Sequence, residues 1–468
     1  MSEVTHESFD VVVIGGGPAG IAAAYRCQDG GLSTLLVNQY EDLGGVCLNV
    51  GCIPSKALLG IAKTMYDAKS SAARGILFEE PSIDIEALRN SVNESVDKLS
   101  MGLAMLGKKR RVRSVVGHAS FKDAFTLDVH GEEPMQVTFK HAIIATGSKP
   151  NRPQFLPKDD RIFDSTGALR LDKSDGVLVV IGGGVIGCEM ATIYNALGCE
   201  VVVIEYFDRI MLGADLQHAN LCKKTMEERG IQFITGAKVA SVDCSDSILV
   251  QYEVAGKIEE INCDQILYAV GRHPYTEGLG LEGIDVGVDE HGFIKVDEYL
   301  RSHLDHIYAI GDVAKTDFDN AMLAHRSSAH GHVVSEVIAG KNIRYDHICM
   351  PSVSYTDPEV AWVGKQEDEL KDSDKSYQVG KFPWAACGRA VATHHTNGHT
   401  KVFADEDGYI LGASIVGRDA GELIGVYCLA IEMGATLSDL ALTIMPHPTL
   451  VETTKQACEV ALGTSTDQ

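Results

Sequence analysis

Two stretches of the chain carry the same succession of apolar and polar patterns. Residues 9–40 open on a short apolar run at 11–14 and pass through Gly15-Gly-Gly-Pro-Ala-Gly20. Apolar positions then recur at helical spacing as far as Gly30-Gly31, and a second apolar run follows at 34–37. Residues 177–205 repeat this order: apolar run, Gly182-Gly-Gly-Val-Ile-Gly187, helical spacing, Leu197-Gly198, and an apolar run closing on Glu205. A short continuous apolar run between glycine turns predicts a strand covered on both faces, and a 3.6-residue period predicts an amphipathic helix. Each stretch therefore predicts strand, turn, helix and strand, the start of a βαβ unit. Two such units imply an α/β chain with two Rossmann-like dinucleotide-binding domains.

The remainder divides by composition. Residues 148–157, Ser-Lys-Pro-Asn-Arg-Pro-Gln-Phe-Leu-Pro, are rich in proline and polar groups, which predicts a domain crossing near residue 150. Residues 273–287 again collect proline and glycine. From Met350 the pattern changes to strands at 353–355, 360–363, 401–403 and 410–415, mixed with a helix at 422–433, which predicts a C-terminal α+β domain. The expected division is 1–150, 151–278, 279–349 and 350–468, in keeping with roughly 100–200 residues per domain.

Composition narrows the classes of function. With 45% hydrophobic and 23% charged residues the chain reads as globular throughout. No uninterrupted apolar run approaches the ~18 residues of a membrane span, and the acidic, polar first residues show neither a secretory nor a transit pattern. The cytoplasm is the expected location. A formal charge of −24, with a single basic run at 108–113, excludes binding along a phosphate backbone. The twelve cysteines include no CxxC pair and no zinc-type spacing, so no metal is expected and a reducing compartment fits.

Glycine is common, and a lone GxGxxG proves little. Here both copies sit between a strand and a helix, so Gly15, Gly17 and Gly20, and Gly182, Gly184 and Gly187, are expected to bring backbone close to a pyrophosphate at a helix N-terminus. The residue closing the second strand lies 23 positions after the first glycine in both copies, Asn38 and Glu205. A carboxylate at Glu205 accepts hydrogen bonds from ribose hydroxyls and repels a 2′-phosphate, which favours NAD over NADP. Arg209, the counter-indication, is expected to pair with nearby acids.

Between the repeats lies Gly44-Gly-Val-Cys47-Leu-Asn-Val-Gly-Cys52-Ile-Pro-Ser-Lys56-Ala-Leu-Leu. Among twelve cysteines such a spacing alone carries little weight. With the two glycine turns, this segment resembles the redox-active segment of the pyridine-nucleotide disulfide oxidoreductases, in the form found in dihydrolipoamide dehydrogenases. The resemblance runs along almost the whole chain, through Val116-Gly117, Ala145-Thr-Gly147, Gly187-Cys-Glu189, Ala269-Val-Gly-Arg272, Tyr308-Ala-Ile-Gly-Asp312, Met322-Leu-Ala-His325, the segment 355–364, the segment 430–434, and His447-Pro-Thr-Leu-Val-Glu452.

What the resemblance implies is specific. Cys47 and Cys52 form a catalytic disulfide; if they pair, the helix carrying them must be distorted, because five residues of regular helix rise about 7.5 Å. His447, oriented by Glu452, is the base, reaching the disulfide of the other subunit, so residues 350–468 become the interface domain of a homodimer. FAD, held tightly but not covalently, contacts Gly15, Gly17, Gly20, Asn38, Gly45, Gly117, Thr146, Gly147 and Ala324, with Asp312 on its ribityl chain. Lys56 lies beside flavin N5, paired with Glu189. NAD+/NADH is held by Gly182, Gly184, Gly187, Glu205, Val239, Gly271 and Arg272. Residues 279–349 complete the FAD site, and the partners are the lipoyl domains and acyltransferase of 2-oxoacid dehydrogenase complexes, or the lipoyl protein of glycine cleavage. The implied reaction oxidises protein-bound dihydrolipoyl groups and reduces NAD+.

Three departures from the family stand out: Asn38 where relatives carry an acid on the FAD ribose, His330 where they commonly have Glu, and Met445-Pro446 where His-Ala is usual. Asn38 brings no charge, so FAD is expected to be held less firmly, and a glutamate there to hold it as well or better. Competing readings are a glutathione or mercuric reductase using NADPH, a soluble transhydrogenase, and a non-catalytic structural subunit. Glu205 and the absence of vicinal cysteines at the C-terminus oppose the reductases, the intact Cys47 and Cys52 oppose the transhydrogenase, and retention of these with His447 and Glu452 opposes the structural subunit.

Overall fold

A computed structural model describes residues 4–373 and 375–467. In it the first repeat folds as the pattern predicts: strand Thr5–Ile14, helix Pro18–Asp29 and strand Thr34–Asn38, the two strands parallel. The second repeat gives strand Val177–Ile181, helix Val185–Ala196 and strand Glu200–Ile204, again parallel. In both, the strand residues at the centre are fully buried, as a sheet covered on both faces requires. The chain forms two compact units, one of residues up to 57, 86–151 and 271–346, the other of residues 58–85, 152–270 and 347 onward.

The first unit is built on a seven-stranded sheet in the order Arg113–Val116, Thr34–Asn38, Thr5–Ile14, Met135–Ile144, Thr126–His130, His118–Asp123, with Ile307–Ala309 also paired to Met135–Ile144. The strands 118–144 run antiparallel and were not foreseen from the apolar runs. The later segment returns to this sheet through Ile307–Ala309 and through helix Ala324–Ile338, which packs on Pro18–Asp29. Gly331 permits that approach, since a Cβ there would lie 2.6 Å from the Ala19 carbonyl oxygen.

In the second unit a parallel sheet runs Gln232–Ile234, Glu200–Ile204, Val177–Ile181, Gln265–Tyr268, Ile162–Phe163, with an antiparallel three-stranded sheet, Ala237–Asp243, Ile248–Val254 and Lys257–Cys263, beside it. The C-terminal part is a five-stranded antiparallel sheet, Ser352–Ser354, Glu359–Gly364, Ile410–Gly417, His399–Ala404, Gln378–Pro383, covered by helix Glu452–Ala461. Trp384 is fully buried in its core and satisfies its indole N–H on Thr400 Oγ1 at 3.0 Å. The helix expected at 422–433 is two, Ala420–Leu423 and Gly425–Glu432.

The helical run Gly45–Arg74 is, by length and composition, long and apolar enough to cross a membrane. No uninterrupted apolar run marks it in the sequence because Asn49, Ser55, Lys56 and Lys63 intervene. Lys63 and Asp67 within it form ion pairs with Asp419 and Arg418 at 2.6 and 2.7 Å.

Candidate active site

The two glycine turns are built alike. Gly15 and Gly182 adopt φ of 114° and 110°, the left-handed region that glycine enters without strain, and a Cβ at either would strike the carbonyl oxygen of Ala145 or Ala269. At Gly20 and Gly187 a Cβ would lie 1.8 and 1.9 Å from the carbonyl oxygens of Gly15 and Gly182, so each helix sits directly against its own turn. Such close packing leaves room for a pyrophosphate at the helix N-terminus and none for larger residues.

The residues that close the second strands differ in how they are used. Asn38 Oδ1 accepts the Gly16 N–H at 3.0 Å, and its amide nitrogen donates to the carbonyls of Tyr40 and Asp42 at 2.6 and 3.1 Å. Glu205 accepts the N–H groups of Gly183 and Phe207, both on its carboxylate. The second site thus presents a buried carboxylate beside its glycine turn; the first presents a neutral amide whose protons already bind the following loop. Arg209 pairs with Asp368 at 2.6 Å, as foreseen for a cation not used on a phosphate.

The helix that carries the cysteines is broken between them. Helix Gly45–Val50 holds Cys47, Gly51 departs from helical geometry, and helix Cys52–Ser70 begins on the second cysteine. A Cβ on Gly51 would lie 2.7 Å from the Val46 carbonyl oxygen, so glycine is required for the break. The two sulfurs are held as thiols, hydrogen-bonded to each other; this bond, followed by burial, pushes the Cys47 thiol well above its ordinary value. The segment is fastened to the first glycine turn: the Gly44 N–H donates to Gly16 O at 2.8 Å, and Gly45 faces Gly17 so closely that a Cβ would lie 2.7 Å from Gly17 Cα. The thiol pair is thereby placed above the first nucleotide turn, with Lys56 one turn further along the same helix.

A second group of expected residues is joined through hydrogen bonds that the sequence did not announce. Asp312 lies on the turn Gly311–Val313 and accepts from Ser148 Oγ at 2.6 Å; Ser148 in turn receives the Arg272 guanidinium at 2.8 Å on both its hydroxyl and its carbonyl. Thr146 Oγ1 donates to Tyr275 O at 2.5 Å. His330, one of the departures, is fully buried, and its Nδ1 accepts the Gly311 N–H at 3.2 Å, so it fixes the turn that presents Asp312. Ser148 is the supporting residue that motif reading does not single out; a serine before a lysine carries no signal until its partners are known.

Other expected residues fall elsewhere. Val239 belongs to the buried core of the second unit, in one cluster with Val202, Ile204 and Val250. Gly271 and Arg272 belong to the first unit, whereas Glu205 and Glu189 belong to the second. Glu189 is buried, with Oε1 accepting the Tyr355 N–H at 3.0 Å. Gly117 and Ala324 lie at the edge of the first unit's sheet and at the start of helix Ala324–Ile338.

His447 and Glu452 are in contact. Nδ1 of the imidazole lies 2.9 Å from Glu452 Oε1, and the other carboxylate oxygen accepts the Thr449 N–H at 2.8 Å. Since a carboxylate only accepts, Nδ1 carries the proton and Nε2 is left to take one. The imidazole is 75% exposed while Glu452 is 20% exposed, so the ring projects to solvent from an anchored carboxylate.

Residues 9–331 match the pyridine nucleotide-disulphide oxidoreductases, and residues 350–458 match the dimerisation domain of the same family. The dihydrolipoyl dehydrogenase of Haemophilus influenzae is 46% identical over 462 residues, covering 98% of this chain and 96% of that one; that of Geobacillus stearothermophilus is 42% identical over 458 residues, covering 97% and 96%. The HOCl-induced flavoprotein disulfide reductase RclA from Escherichia coli superposes with a TM-score of 0.85 at 26% identity, covering 97% of this chain and 99% of that one. Enzymes of this kind use FAD and NAD(H), and both glycine turns here have the close-packed form such cofactors need. With two nucleotide turns, a thiol pair at a broken helix start and a dimerisation domain, this chain belongs to the pyridine nucleotide-disulphide oxidoreductase family.

Proposed function

We propose that the chain oxidises protein-bound dihydrolipoyl groups to lipoyl and passes the electrons to NAD+. The observation that carries this reading is the Cys47–Cys52 thiol contact across the Gly51 break, fastened to the first glycine turn. Residues 1–150 are assigned to FAD, 151–278 to NAD, 279–349 to completion of the FAD site and 350–468 to the interface of a homodimer. Gly15, Gly17, Gly20, Gly45, Gly117, Thr146, Gly147, Asp312 and Ala324 would hold FAD, and Gly182, Gly184, Gly187 and Glu205 would hold NAD+.

In the oxidised protein Cys47 and Cys52 share a disulfide. His447 Nε2 takes the proton of an incoming dihydrolipoyl thiol, acting across the dimer; the thiolate attacks the Cys47 sulfur, and the Cys47–Cys52 bond breaks to release the Cys52 thiolate. The second substrate thiol then attacks the mixed disulfide, closing lipoamide and releasing Cys47 with its electron pair. When bound, FAD supplies the two-electron relay from the dithiol to NAD+. Glu452 holds the imidazole in the tautomer that can accept the proton and offsets its positive charge afterwards. Lipoyl domains of 2-oxoacid dehydrogenase or glycine cleavage complexes, in the cytoplasm, are the proposed partners.

The deciding assay follows dihydrolipoamide oxidation with NAD+ and NADP+ in parallel. Turnover with NAD+ and at least about a hundredfold lower kcat/KM with NADP+ is expected, because placing a 2′-phosphate against the Glu205 carboxylate costs several kcal/mol. Preference for NADP+, or no reaction with dihydrolipoamide, would overturn the assignment.

Asn38 reverses the expectation drawn from its lack of charge. Because both amide protons bind loop carbonyls, a carboxylate at this position would face the Tyr40 and Asp42 oxygens with no proton to offer. Asn38→Asp, nearly isosteric, is expected to weaken FAD binding by about tenfold, the value of one net hydrogen bond, read as flavin released on dialysis and as the Kd for rebinding. Equal or tighter binding would restore the charge-based reading.

A further inference from the structure

Five of the twelve cysteines reach the surface in part: Cys47, Cys52, Cys244, Cys349 and Cys428. Four of these stand as two neighbouring pairs, Cys47 with Cys52 and Cys349 with Cys428. The second pair has no part in the chemistry above. It joins the segment before strand Ser352–Ser354 to helix Gly425–Glu432, residues 79 apart in sequence.

One carboxylate sets this contact. Glu432, one turn after Cys428 on the same helix, accepts the N–H groups of Ile348 and Cys349 on Oε1 at 2.9 and 3.1 Å, and the Cys349 sulfur lies 3.6 Å from the same oxygen. The Cys349 sulfur is also 3.8 Å from the Cys428 carbonyl oxygen. Backbone and thiol of Cys349 are thus both pinned to the turn of helix that carries Cys428, the constraint a disulfide needs before it can close.

We propose that Cys349 and Cys428 are a second redox-active dithiol, separate from Cys47–Cys52, that closes to an intramolecular disulfide on reaction with a peroxide. The Cys349 thiol donates to the Glu432 carboxylate at 3.6 Å, which keeps the proton on Cys349 and leaves Cys428 as the nucleophile. Its thiolate attacks one peroxide oxygen; the O–O bond breaks, and the departing hydroxide takes a proton to give water and a Cys428 sulfenic acid. The Cys349 sulfur, giving its proton to the leaving hydroxide, then attacks the Cys428 sulfur; the S–O bond breaks, the S–S bond forms and a second water leaves. The two thiols lose two electrons and the peroxide gains them. The proposal is independent of which substrate reacts at Cys47–Cys52.

The test treats the FAD-loaded homodimer, undenatured, with a small excess of hydrogen peroxide, caps remaining thiols with N-ethylmaleimide, and maps the digested peptides by mass spectrometry. Before peroxide, Cys349 and Cys428 are expected to be capped; afterwards their peptides are expected joined, lighter by two hydrogens and uncapped, with the Cys47–Cys52 peptide as internal reference. Cys349→Ser and Cys428→Ser are expected to abolish the joined peptide and to leave turnover before peroxide unchanged. Should a variant fail to fold, the labelling of the unaltered protein decides alone. Capping of both thiols after peroxide, over-oxidation of Cys428 without a joined peptide, or joining of either cysteine to another one overturns the proposal.

Discussion

Cys52→Ser protein is expected to purify with bound flavin and to show no lipoamide-linked turnover. FAD is held in the proposed site by the first glycine turn and by the network around Asp312, none of which passes through the Cys52 sulfur. The disulfide cannot form without that sulfur, and a serine hydroxyl is neither reducible nor a competent leaving group in thiol exchange. Oxidation of NADH by a dye that takes electrons from flavin directly should persist, because it bypasses the thiols. Flavin absorbance per chain, dihydrolipoamide turnover and dye reduction measured on one preparation separate the outcomes. Persistent lipoamide turnover would remove Cys52 from the mechanism.

His447→Gln is expected to lower kcat with dihydrolipoamide by about 10²–10⁴-fold, the usual worth of a positioned general base. Dye reduction and flavin content should remain at the unaltered level. The geometry argues for a loss confined to proton transfer: the imidazole is mostly exposed, its contact is to Glu452, and the carboxylate keeps its bond from the Thr449 N–H after the change. A small loss in kcat with a large rise in KM would instead make His447 a docking residue. Glu452→Gln should fall between the two, since a neutral amide can still contact the ring but cannot offset its charge.

Much of the site was legible because its signals are local. A glycine at positive φ, a helix starting three residues later and a strand-closing Glu205 lie within one βαβ unit, so residue type and spacing carry them. The break at Gly51 follows the same logic, since a pair of cysteines five apart could not meet on a regular helix. His447 and Glu452 are five residues apart and face each other across a short turn. For Asn38, residue type gives only the lack of charge, while the use of its two amide protons depends on where the carbonyls of Tyr40 and Asp42 point. For Val239, β-strand alternation decides which side of the strand enters the core, which residue type does not show.

By itself the sequence determined the α/β class, the two nucleotide turns and the positions of Cys47, Cys52, His447 and Glu452, since each is written in contiguous residues whose steric and hydrogen-bonding demands are met nearby. The tertiary structure alone decided what joins distant segments. Packing of distant segments brings Arg272 and Asp312 to Ser148, His330 to Gly311, and Cys349 to Cys428 across 79 residues. Such contacts depend on the whole chain's packing and loop closure, for which no short-range pattern exists in the residues that meet.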